Sequence, residues 1–260
     1  MPNQLKYLLF LLAFIEGGAV MCVELCSAKM LAPYFGTSIY VWAAVLGITL
    51  TALMSGYYLG GYISEKSQKK EMAFWLMLIA GCLVAIAPLI SGVVIPLTIK
   101  MSLLSGTVIS LLSFLFIPLM LFGAVSPLLI NQLTDEAKAS GKSSGTVYAV
   151  STLGGIITTF LVGFYTLPHW GIVFTLYSYG ALVIAVSVLL FLVSKRFNLP
   201  MAIVAILGLG SLAFQLGPSD KEVIYKSDGI MGELKVVNRT LFYAAENREK
   251  VYRELMVNNV

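Results

Sequence analysis

Long apolar runs, separated by short polar breaks, divide most of the chain. The first runs from Tyr7 to about Met30, after a single charge at Lys6. It is longer than the apolar region of a signal peptide, contains Glu16 and Glu24, and has no small-residue cleavage site, so it reads as a retained helix. A Pro33-Tyr-Phe-Gly36 turn follows, and a second run extends from about Ile39 to Ile63. Ser64–Glu71 is a charged loop. The third run, about Met72 to Pro96, contains Pro88, a kink that a bundle tolerates, and Lys100 marks the next turn. The fourth, Leu103 to Leu133, contains Pro118 and Pro127. At about 1.5 Å per residue it exceeds a hydrocarbon core of ~30 Å, so it must tilt or bend, yet it is too short for two crossings. Thr134–Ser144 is a polar loop. A fifth run, Gly145 to Leu167, meets a tight turn at Pro168-His-Trp-Gly171, and a sixth continues to Ser194. After Lys195–Asn198, a shorter seventh run covers Leu199 to Leu216. The pattern predicts an all-α polytopic membrane bundle of about seven transmembrane helices.

At Gly217-Pro218 the pattern changes. Residues 218–260 hold 7 of the 17 basic and 7 of the 13 acidic residues, so this stretch belongs in water. Lys221–Tyr225, Gly232–Asn238 and Arg253–Asn258 read as short strands, with a turn at Ser227-Asp-Gly229. Three such strands bury little, and about 40 residues rarely fold unaided. The expected division is a transmembrane helical domain, 1–217, and an incomplete extramembrane β-hairpin segment, 218–260.

Composition agrees with this pattern. Of the 260 residues 58% are hydrophobic and 12% charged, and the mean hydropathy is +0.89. Soluble domains carry roughly 25% charge. The net charge of +4 is loop charge, and no basic patch interleaved with aromatics points to nucleic acid. Lys6, Lys66, Lys69, Lys70, Lys138, Lys142, Lys195 and Arg196 fall on one side, and Lys29 and Lys100 on the other. The positive-inside rule then places the N-terminus in the cytoplasm of a multi-pass cell (inner) membrane protein. Seven crossings put the tail outside, and six would keep it inside.

Charges inside apolar runs need partners or a purpose. Glu16 and Glu24 lie two helical turns apart and read as sharing a face. One reading is an acidic stripe for a cation, a proton or an amine. The other is structural, with Glu24 paired to Lys29 and Glu16 hydrogen-bonded to neighbouring helices. Tyr34, with Tyr40 and Trp42, suits either a cation–π contact to an amine or an interface anchor. Gly56, Gly60 and Gly61, and later Gly154 and Gly155, suit close helix packing. Cys22, Cys26 and Cys82 lie in apolar runs as small packing residues, and His169 reads as interfacial. No metal site or cofactor is expected. Gly141-Lys-Ser143 lacks the earlier glycine of a phosphate loop, and Gly208-Leu-Gly210 has no preceding strand.

Several blocks resemble the membrane domain of the membrane-anchored spermidine-synthase-like proteins, also described as fused transporter/spermidine synthases. They are Val23-Glu-Leu25, Met30-Leu-Ala-Pro33-Tyr-Phe-Gly36-Thr-Ser38-Ile-Tyr-Val-Trp42, Gly56-Tyr-Tyr-Leu-Gly60-Gly61, Gly123-Ala-Val-Ser-Pro127-Leu and Gly145-Thr-Val-Tyr-Ala-Val-Ser-Thr-Leu-Gly154-Gly155. The tail, Val223–Tyr225, Asp228–Val237 and Leu255–Asn259, resembles the opening hairpins of the synthase part. In that family the hairpins lead into a methyltransferase-like α/β domain that binds decarboxylated S-adenosylmethionine and putrescine. This sequence ends at Val260, where that domain would begin. The resemblance therefore implies a membrane anchor or partner without its own catalytic domain. Its expected partners are the lipid bilayer, a polyamine, and a separate α/β synthase-like subunit or a missing C-terminal domain. The alternatives are a small-molecule or polyamine transporter using the two glutamates, and a fragment of a membrane-bound aminopropyltransferase.

Overall fold

The computed structural model describes residues 3–66, 71–134, 140–196, 198–215, 223–229, 232–243 and 248–257. In chain order the helices are α1 (Asn3–Phe35), α2 (Ile39–Lys66), α3 (Met72–Thr98), α4 (Leu103–Leu111), α5 (Ile117–Leu133), α6 (Ser140–Leu161), α7 (Leu167–Val193) and α8 (Leu199–Gln215). Strands β1 (Val223–Gly229), β2 (Gly232–Tyr243) and β3 (Arg248–Val257) follow. Among the described residues, five helical stretches are long and apolar enough to cross a membrane, and Leu199–Ser211 is a shorter apolar helix. The expected all-α bundle is therefore present, whereas seven separately long spans are not. The last of the five stretches covers 53 residues, Gly141–Val193.

That stretch turns back on itself. Gly171 has φ 73° and ψ 178°, outside any helix. A hydrogen bond joins the hydroxyls of Thr158 and Tyr179, on either side of it. A continuous helix would hold those residues about 30 Å apart, so the chain reverses at Gly171. The expected turn at Pro168–Gly171 thus narrows to one non-helical glycine.

Wide turns precede two prolines. Leu112–Phe116 links α4 to α5 and Val162–Thr166 links α6 to α7, both as π-helical segments. Each ends two residues before a proline, Pro118 or Pro168. A proline lacks an N–H and its ring crowds the carbonyl four residues back, and a π turn relieves that crowding.

Helices pack in pairs: α1 on α6, α2 on α5, α3 on α7, with α8 against α3 and α7. Phe74, Phe114, Phe122 and Phe191 are fully buried, and Phe74 and Phe191 meet edge to face at 5.5 Å. The α1–α6 and α2–α5 pairs rely on backbone contact. A Cβ on Gly154 would lie 1.9 Å from the Phe14 carbonyl oxygen, and one on Gly56 2.2 Å from that of Met120. Small residues allow this approach, which is how helices associate in lipid.

Several boundaries differ from the sequence reading. Helix α1 continues through Pro33 to Phe35, because a proline in the last turn removes only one internal hydrogen bond. It stops at Gly36, whose φ is 76° and whose N–H bonds the Ala32 carbonyl at 3.0 Å. Helix α6 begins at Ser140, five residues before the expected start. Ser227-Asp-Gly229 is strand rather than turn, and β1 pairs with β2 down to Gly229 opposite Gly232. Strand β2 runs past Asn238 to Tyr243, and β3 begins at Arg248. The strands form one antiparallel sheet in the order β1-β2-β3. The expected start of the first strand at Lys221 and the loop lysines Lys69, Lys70 and Lys138 lie outside the described residues.

Candidate functional site

Glu16 sits in the middle of α1, 3% exposed. Its Oε2 accepts a hydrogen bond from the Ser151 hydroxyl of α6 at 2.9 Å and a long one from the Ser126 hydroxyl of α5 at 3.5 Å. Among the described residues its Oε1 receives no hydrogen bond and the carboxylate makes no ion pair. A charge at such a depth costs about 3 kcal/mol on insertion scales, and a good hydrogen bond to it returns roughly 1.5–3 kcal/mol. The Ser151 contact depends on Gly17. A Cβ there would lie 2.0 Å from the Ser151 carbonyl oxygen and 2.5 Å from its hydroxyl oxygen.

The carboxylate lines a cavity of about 260 Å³ between α1, α2 and α6, open on the side where Tyr57, Thr152 and Ile156 are exposed. Val20, Met21, Leu53 and Ile156 give it apolar walls, and Thr159 a hydroxyl. From Ser151 to Thr159 it extends about 12 Å along α6. Tyr57 of α2, 40% exposed, flanks the Ser151 end. Its ring meets that of Tyr148 on α6 edge to face at 6.5 Å and 84°. Tyr148 lies about one turn before Ser151, so the two rings bridge α2 and α6 beside the acid. Two turns of α6 beyond Ser151, Thr158 and Tyr179 pair above Gly18, where a Cβ would lie 2.5 Å from both hydroxyl oxygens.

The other candidate residues are dispersed. Glu24 is 8% exposed and does not line the cavity. Eight helical positions rotate it about 80° from Glu16, so the two acids do not share one site. Lys29 is half-buried within α1 and partnered. Tyr34 is 37% exposed at the end of α1. Gly56 and Gly60 pack against α5, but Gly61 has nothing within 4 Å of an added Cβ, so it does no packing. Gly154 packs against α1, while Gly155 faces Met21 and lines the cavity. His169 is exposed, its Nδ1 2.8 Å from the Tyr165 carbonyl oxygen and its ring stacked on Tyr165 at 4.9 Å. The three cysteines are free and buried. Among the described residues no three His, Cys, Asp or Glu side chains gather as a metal site.

Sequence reasoning missed Ser126, Ser151, Tyr57, Tyr148 and Thr159. The available signal was hydroxyls within apolar runs, which favour the bundle interior, but a single helix does not show which carboxylate they reach.

Fold and site together define a class: an apolar α-helical bundle, with five helical stretches long enough to cross a membrane, that holds a buried carboxylate at the base of a partly open cavity. The chain matches no family model, no curated protein and no solved structure.

Proposed function

We propose that this is a multi-pass membrane protein that binds a small organic amine at Glu16, inside the bilayer, as the binding step of a carrier or a membrane-domain receptor. One observation carries the reading. A carboxylate with only hydroxyl partners and one free oxygen faces a cavity large enough for a small molecule. A cation completes such a site, because its charge offsets the cost of the buried acid. The resemblance to spermidine-synthase-like membrane domains supports an amine as the ligand class. Tested with protein in lipid nanodiscs, primary amines are expected to raise the thermal stability of the native chain at concentrations where potassium does not. Glu16→Gln is expected to abolish the shift. An equal shift in the variant would remove Glu16 from the site.

Seven crossings belong to the same reading. The hairpin at Gly171 counts twice, and α8, shorter than the other spans, is taken as the seventh because it packs on α3 and α7. Cys82 Sγ donates to the Val204 carbonyl at 3.4 Å, and the Tyr177 hydroxyl to the Leu209 carbonyl at 2.8 Å. With the N-terminus in the cytoplasm, the sheet lies outside it.

A second reading, the membrane anchor, is favoured by the sheet. Among the described residues its outer strands β1 and β3 each pair along one edge alone, and Leu255 on β3 is 61% exposed. Such edges template further strands, as an α/β synthase-like subunit or C-terminal domain would supply. Co-purification of such a subunit, weakened by Leu255→Lys, would support the anchor.

A further inference from the structure

We infer that the Glu16 cavity selects a monoamine with an apolar tail and discriminates against diamines. The inference rests on the amine-binding reading and specifies its ligand. The cavity is polar at one end and apolar along its length. Glu16 and Ser151 sit at the end that the Tyr57–Tyr148 ring pair flanks. Beyond them the walls are Val20, Met21, Leu53 and Ile156. At the far end the Thr159 hydroxyl already donates to the Gly155 carbonyl at 2.8 Å. Among the described lining residues there is no second acid, Glu24 not being one of them. An ammonium placed on Oε1 gains a charge partner and the neighbouring tyrosine rings. An alkyl tail then fills the remaining length. In a diamine of that length, the second ammonium would lie among side chains that offer no counter-charge, and a buried charge without a partner is strongly disfavoured.

The discriminating pair of probes is n-hexylamine and 1,6-diaminohexane, equal in chain length and different in one charge. Binding is measured by calorimetry to the full chain in nanodiscs at neutral pH, with empty nanodiscs subtracted. Hexylamine is expected to bind saturably and at least tenfold more tightly than the diamine. Glu16→Gln should weaken hexylamine at least tenfold, and Glu16→Asp, which keeps the charge, should retain part of the binding. Thr159→Asp adds an acid at the far end and is expected to raise diamine affinity relative to hexylamine at least tenfold. Equal or tighter binding of the diamine to the native chain would overturn the selectivity while leaving an amine site standing. An unchanged ratio in a folded Thr159→Asp chain would overturn the placement of the ligand along α6. Saturable binding of neither amine would overturn the amine reading itself, and this inference with it.

Discussion

The two serines on Glu16 are not equivalent. Ser151 reaches it at 2.9 Å and Ser126 at 3.5 Å, and the shorter bond to a charged group is the stronger. Ser151→Ala is therefore expected to lower the melting temperature of the chain in nanodiscs more than Ser126→Ala. The loss in the first case is about 1.5–3 kcal/mol. Glycines divide in the same way. Gly154→Ala drives a methyl into the Phe14 carbonyl, whereas Gly61→Ala meets nothing within 4 Å. The first is expected to destabilise by about 1–3 kcal/mol, the range for overpacking. The second gains helix propensity, up to about 1 kcal/mol. Thermal unfolding of the two variants side by side checks both signs, and a loss at Gly61 equal to that at Gly154 would contradict the packing of α2.

At the scale of the element, the reversal near the start of α7 turns on one residue. The φ and ψ of Gly171, 73° and 178°, lie in a region open almost only to glycine. Both Gly171→Ala and Gly171→Asn are therefore expected to cost about 1–3 kcal/mol. Gly36→Asn is expected to cost less, because asparagine commonly replaces glycine after a helix end. If Asn restored full stability at position 171, the turn would have a different backbone. The sequence revealed such elements unevenly. The apolar runs were legible because lipid offers the backbone no hydrogen bonds, so each run must be a continuous helix. Glu16 stood out for the same reason, as a charge in hydrocarbon. Its partners did not, because Ser126 and Ser151 reach it only through the rotation and depth of α5 and α6, and tertiary packing sets both. Glu24 was grouped with Glu16 by spacing alone, and a rotation of about 80° over eight residues separated them. The hairpin strands were placed by alternation, but their ends were not. Ser227-Asp-Gly229 carries turn residues, yet the ladder to β2 holds it as strand.

For the whole molecule, the membrane reading predicts on which side of the bilayer each end of the bundle lies. One end is assembled by contacts that do not depend on lipid. Arg196, after α7, pairs with Glu71, before α3, at 3.1 Å, and Asn131 on α5 donates to the Ser64 carbonyl on α2 at 3.2 Å. The exposed start of α6, at Gly141, is the other half of a comparison with Tyr225 on β1, which is 55% exposed. The three native cysteines are buried and should stay silent to a thiol reagent, so single cysteines at these positions report alone. With an impermeant maleimide on intact cells, Tyr225→Cys is expected to react, and Gly141→Cys only after permeabilisation. Opposite labelling of the two sites requires an odd number of crossings between them, which the α6–α7 hairpin supplies only if α8 also crosses. If both sites react from the same side, α8 does not cross and the sheet lies at the basic end. If the sites are exchanged, the crossings stand but the excess of lysine and arginine does not set the orientation. Only the first pattern leaves the sheet edges facing the exterior, so it alone requires the partner of the anchor reading to be an exterior one.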